Sequence, residues 1–160
     1  MVKNSKNLLI KFIFFVSIIA LLSAFFIEYV LGHQPCNLCV LERIPFLLAI
    51  IIVFLTYKFI LFEKFFILLL TIIFLAGTAL SLYHLGIEQG LIQESLVCDL
   101  KSGSNLLSKE EIIQQLKEKN VSCKDVTFKI FGLSLTSYNI LISLLITFSA
   151  GKIYFNYDKN

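Results

Sequence analysis

Four long apolar runs, joined mostly by short connections that carry lysines, constrain this chain more than any other feature. Residues 8–27, 65–86 and 130–151 are each long enough to cross a hydrocarbon core, which takes about 20 residues. Residues 44–57 form a shorter run that, taken alone, reads as a buried or re-entrant helix. Counted through residue 62, with Lys58 reaching its amine to the interface, this run also spans. An even number of spans is needed if both cysteine-bearing segments are to share one side of the membrane. Composition agrees: 58% of the 160 residues are hydrophobic and 16% charged, whereas a soluble domain is about half apolar and about a quarter charged. The expected fold is an all-α integral membrane protein. It is a four-helix bundle, one membrane domain over residues 1–160 with spans at 8–27, 44–62, 65–86 and 130–151 and one long polar loop at 87–129.

The lysines orient the bundle. Lys3, Lys6 and Lys11 precede or begin the first span, Lys58 and Lys64 flank the connection between the second and third, and Lys152 and Lys159 follow the fourth. Positive ends stay in the cytoplasm, which places both termini there and the 29–43 and 87–129 segments outside. The net charge of +3 arises from these lysines and forms no basic stripe, so nucleic acid is not an expected partner. The basic start and Ser23-Ala24 also fit a cleaved signal peptide. The apolar run continues through Phe25, Phe26 and Ile27, however, and a membrane anchor is the reading adopted.

Within the outer loop, Ser108-Lys109-Glu110-Glu111 has the spacing of a capping box. A short amphipathic helix ending near Asn120, with Ile112, Ile113 and Leu116 on one side, is expected to follow. Small or polar residues recur at helical spacing in three spans: Ala20, Ala24 and Glu28; Gly77, Ser81 and His84; Thr136, Asn139, Ser143 and Thr147. Such faces let helix backbones approach in lipid and bond across the contact. Packing accounts for all of them except His84, because an imidazole inside a membrane helix marks a functional position.

Cys36 and Cys39 form a CxxC motif between the first and second runs, and Cys98 and Cys123 lie in the long loop. Four cysteines allow three connectivities, of which Cys36–Cys39 with Cys98–Cys123 is the simplest. A structural bridge would serve for the loop pair. It explains the near pair badly, because closing so small a ring removes little chain entropy, and small or strained pairs are the labile ones. A zinc site built from the four cysteines, or with His33 in place of one, lacks the second short ligand spacing, and no metal is expected. A thioredoxin-like domain is excluded because no βαβ pattern surrounds the motif. Arg43 follows Cys39 by four residues, so on a helix its guanidinium would favour the Cys39 thiolate. Pro45 opposes a continuous helix through this segment.

Pro35-Cys36-Asn37-Leu38-Cys39 with Glu42-Arg43 resembles the disulfide bond formation protein B (DsbB) family of bacterial membrane proteins. The likeness covers nearly the whole chain. It includes four spans, the loop with Cys98 and Cys123, Tyr83-His84 with Glu88 following, and Phe131-Gly132-Leu133-Ser134 with Asn139. The Gly-Pro often found before the family's third cysteine is absent, and no Trp occurs.

The resemblance implies an inner-membrane enzyme that reoxidises a periplasmic thioredoxin-like thiol oxidase (DsbA-like) and passes the electrons to a quinone, ubiquinone or menaquinone. Cys98–Cys123 would be the disulfide that meets the partner, and Cys36–Cys39 the pair that meets the quinone. Cys39 would lie next to the ring, and Arg43 and His84 would bind it. Local charge adds an expectation: Lys124 and Lys119 favour Cys123 as leaving group, and Asp99 disfavours Cys98. The partner should therefore attack Cys98. The alternatives are a non-enzymatic membrane subunit with two structural disulfides and a vitamin K epoxide reductase-like bundle. In the latter, CxxC lies near the last spans rather than after the first.

Overall fold

The computed structural model describes residues 2–93, 123–124, 129–130 and 132–157. The loop helix expected after Ser108 lies outside the described residues, as does Cys98, and with it the Cys98–Cys123 pairing. Helix α1 runs Val2–Tyr29, α2 Asn37–Leu41, α3 Ile44–Lys58, α4 Glu63–Glu88 and α5 Leu135–Phe155. Among the described residues, four segments are long and apolar enough to cross a bilayer: Lys6–Tyr29, Asn37–Lys58, Ile60–Glu88 and Leu135–Phe155.

The second span gains its length at the opposite end from the one the apolar pattern indicates. Helix α3 stops at Lys58, and Ile60–Phe62 is a 3-10 turn that reverses the chain into α4. Leu61 in that turn is 97% exposed, so its apolar character reflects a lipid-facing position rather than helix. The missing length comes from α2, which leads almost directly into α3. The Glu42 and Arg43 amides bond back to the Leu38 and Val40 carbonyls, and Leu47 bonds to Arg43. Pro45 lies in the first turn of α3, where its missing N–H costs nothing.

The fourth span also begins later than expected. Lys129–Ile130 and Leu133–Ser134 pair as a minimal antiparallel hairpin around Gly132, whose φ of 83° only glycine adopts readily. Ser134 then caps α5, its hydroxyl accepting from the Ser137 amide. At the other corner, α1 ends where the Val30 and Leu31 amides both turn back to the Phe26 carbonyl ahead of Gly32 (φ 72°).

In the packing, α4 lies along α5 in the most extensive contact. Helix α3 bridges α1 and α4, and α1 touches α5 only lightly. The half of the bundle nearer the termini is closed by Ile10, Ile13, Phe46, Ala49, Ile52, Val53, Leu70, Phe74 and Ile146. Phe46 and Phe74 meet edge to face at 5.6 Å. Gly77 lets the α3 entrance approach α4: a Cβ there would stand 3.0 Å from the Pro45 Cγ. Thr56, Thr71, Thr78 and Thr147 return their hydroxyls to carbonyls one turn back, which satisfies them inside an apolar surround. At the terminal end the Lys6 amine bonds Glu63 at 2.6 Å, and the Tyr157 hydroxyl donates to the same carboxylate.

Candidate functional site

Cys36 is the N-cap of α2: its extended backbone (φ −71°, ψ 166°) leaves the sulfur free to accept the Cys39 amide at 3.3 Å. The two-residue spacing therefore folds both sulfurs onto the opening turn of a helix, 2.7 Å apart. Cys36 is buried and Cys39 half-buried. The hydrogen bond that the Cys36 thiol makes to the Cys39 sulfur, together with burial, pushes the Cys36 thiol above the ordinary cysteine range. The adjacent His84 acts in the opposite direction.

His84 comes from α4, almost wholly buried, and meets Cys36 rather than Cys39: its Nε2 is 3.5 Å from the Cys36 sulfur. The other ring nitrogen, Nδ1, lies 2.8 Å from Glu42 Oε1. A carboxylate only accepts, so Nδ1 carries the hydrogen on that side, and Nε2 faces the sulfur. Thr136 of α5 closes the group, its oxygen 3.2 Å from Nδ1 and its hydroxyl donating to Glu88 at 2.6 Å. Asn139 donates to the second Glu42 oxygen and to Ser81, each at 2.9 Å. One carboxylate from the α2–α3 turn is thus held by a ring from α4 and an amide from α5.

Arg43 points the other way. Its Nη1 bonds Glu28 of α1 at 2.5 Å and its guanidinium covers the Phe25 ring at 5.3 Å. The α1 face read as Ala20, Ala24 and Glu28 is accordingly more than packing, because Glu28 fixes the arginine that follows the cysteine motif. Cys123 is buried in one cluster with Cys36, Leu38 and Ile87. Glu28, Glu42, Ser81, Glu88, Thr136 and Asn139 are residues to which the sequence reading gave no role at the site. For the glutamates a signal was present: a carboxylate at the end of a membrane span requires a partner.

A cavity of about 510 Å³ occupies the gap that the light α1–α5 contact leaves. Its polar end carries His33, Gln34, Cys39 and Arg43, and its long sides are apolar side chains of α1 and α5. On α1 it extends from Phe12 to Ile27, about 22 Å of helix at 1.5 Å per residue.

Fold and site together define an all-α membrane protein that holds a CxxC pair against a lipid-side cavity. A family model for disulfide bond formation protein DsbB matches residues 6–152, and the chain belongs to that family. It is accordingly a multi-pass membrane oxidoreductase of disulfide bond formation. It is also 35% identical over 150 residues to an uncharacterized protein of Rickettsia prowazekii (strain Madrid E), with 91% of this chain and 85% of that protein covered. No solved structure matches the chain.

Proposed function

We propose that this protein, acting as one membrane domain, takes electrons from a DsbA-like thioredoxin-fold oxidase in the periplasm and delivers them to a membrane quinone. The observation that carries the reading is the cavity, which joins Cys39 to an apolar groove between α1 and α5. Its shape and lining suit a polar ring with an isoprenoid chain. Cys39 and Arg43 lie at the end that would take the ring, and residues such as Val16, Ile19 and Leu145 line the path of the chain. A quinone supplies an acceptor for two electrons and two protons that is soluble in the bilayer.

The remaining steps are thiol–disulfide exchange. The partner's thiolate attacks Cys98 of a Cys98–Cys123 disulfide and Cys123 leaves as thiolate. Cys123 shares a buried cluster with Cys36, which favours attack on Cys36 of the oxidised CxxC pair. That attack forms a Cys36–Cys123 bond and releases Cys39 as thiolate beside the cavity. The partner's second thiolate then attacks its own mixed disulfide, closing the partner's disulfide and expelling Cys98, and the Cys98 thiolate attacks Cys123 to restore the loop disulfide and release Cys36. Two electrons have then moved from the partner's thiol pair to Cys36 and Cys39, and the quinone takes them, with two protons, as the Cys36–Cys39 disulfide re-forms. Confinement in one bundle makes the exchange effectively unimolecular. His84, held by Glu42, faces Cys36 and is placed to exchange a proton with that sulfur. The lysine distribution supports cytoplasmic termini and cysteines on the periplasmic side, in the bacterial inner membrane that the family resemblance implies.

The test is quinone reduction by purified protein with a reduced thioredoxin-fold partner, followed by the loss of quinone absorbance, with ubiquinone and menaquinone compared. Cys39→Ser should bring the rate to the uncatalysed level while a partner retaining only its attacking cysteine is still trapped on Cys98. Undiminished turnover by Cys39→Ser, or a cross-linked peptide containing Cys123 in place of Cys98, would overturn the assignment.

A further inference from the structure

The Cys36 and Cys39 sulfurs and the His84 Nε2 lie within 4.8 Å of one another, on two different elements. We propose that the reduced pair, with His84, is a binding site for a borderline-soft d10 cation, with Zn²⁺ as its representative. Two thiolates and one imidazole are the donor set of a three-ligand zinc site with an open fourth position.

The geometry is close to what the ion requires. Tetrahedral bonds of about 2.3 Å to sulfur and about 2.0–2.1 Å to nitrogen separate a sulfur from a nitrogen by about 3.5 Å and two sulfurs by about 3.8 Å. The Cys36 sulfur is 3.5 Å from Nε2 already. The sulfurs, 2.7 Å apart, must open by about 1 Å, and rotation of the half-buried Cys39 toward the cavity supplies that movement. A second observation points independently to a ligand. Glu42 holds Nδ1 at 2.8 Å and is itself fixed by Asn139. Metal-binding histidines are oriented in the same way, with the free nitrogen aimed at the ion. Charge does not oppose it: one divalent cation replaces two thiol protons, so the unit stays neutral at the membrane edge.

Binding releases two thiol protons and moves no electrons. The oxidised pair has no thiolate to offer, so the site exists only in the reduced state and the bound ion holds the pair there. The inference needs thiols and no acceptor, so it stands or falls separately from the quinone reading.

The full chain carrying Cys98→Ser and Cys123→Ser, reduced and in detergent without oxygen, is titrated with Zn²⁺ against a chromophoric chelator. One Zn²⁺ per chain is expected, with no binding after oxidation of the pair. His84→Gln should weaken binding at least tenfold, and Glu42→Gln about tenfold through the histidine it orients. Co²⁺ gives a readout independent of any variant: a thiolate charge-transfer band with the intense visible bands of a tetrahedral ion. Bound Zn²⁺ should also slow alkylation of the pair by maleimide. Equal affinity in the oxidised chain, full affinity after His84→Gln in protein of native helicity, or binding lost with the loop cysteines would each overturn the site.

Discussion

The two halves of the bundle are held by different chemistry. Toward the termini, the apolar side chains of Phe46, Phe74, Leu70 and Ile146 interlock by packing alone. Toward the cysteines, Glu42, His84, Glu88, Thr136, Asn139 and Ser81 are linked by side-chain bonds across three elements. The first arrangement tolerates small rearrangements, because dispersion is non-directional. The second does not, because a polar group that loses its partner in an apolar surround is left unsatisfied. Shape complementarity anchors one end, and directional bonds fix atom positions at the end that carries the CxxC pair.

Breaking the apolar half should have the largest effect on stability and little on chemistry. Phe74→Ala is expected to cost about 3–5 kcal/mol, measured by denaturing titration in micelles, with turnover per folded molecule retained. A proportional loss of turnover would mean that the halves are not separable. Asn139→Ala removes two interhelical bonds and should cost about 1–2 kcal/mol. It should also lower the rate per folded molecule, because Glu42 loses its second anchor. An unchanged rate would demote the network to packing. Arg43→Ala should preserve folding and raise the quinone concentration for half-saturation about tenfold, the equivalent of about 1.4 kcal/mol of charged hydrogen bonding. Glu28→Gln should shift saturation the same way by less, and normal saturation in both variants would leave Arg43 a lipid-phosphate anchor. The smallest effect sharpens the contrast: the buried Ser17 hydroxyl in the apolar half has no hydrogen-bond partner among the described residues. Ser17→Ala should be neutral or stabilising by less than about 1 kcal/mol, and a marked loss would reveal a polar contact at that position.

The apolar runs made four spans and an all-α membrane protein legible, because hydrocarbon thickness sets a length that composition reports directly. Boundaries were less legible. Residues 59–62 and Ile130 are as apolar as the spans they adjoin, yet they turn or pair as strand, since lipid contact selects hydropathy and not helix. The Ser134 cap and Gly132 carried the missed signal for α5. At the site, Cys36, Cys39, Arg43 and His84 stood out by type and position. Their partners did not, because Glu42 meets His84 and Asn139 across 42 and 97 residues, and such pairings follow from packing rather than spacing. Read along one helix, Asn139 is a packing residue. Only the fold reveals the carboxylate it holds.

The light contact between α1 and α5 has a consequence for how any occupant of the gap is counted. A molecule entering there is already dissolved in the bilayer, so its activity is a mole fraction in lipid rather than an aqueous concentration. Diluting the surrounding amphiphile, with protein and occupant held constant, should tighten apparent binding as though more had been added. Occupancy in a cell would then follow the crowding and composition of the membrane, and encounter would be a search in two dimensions.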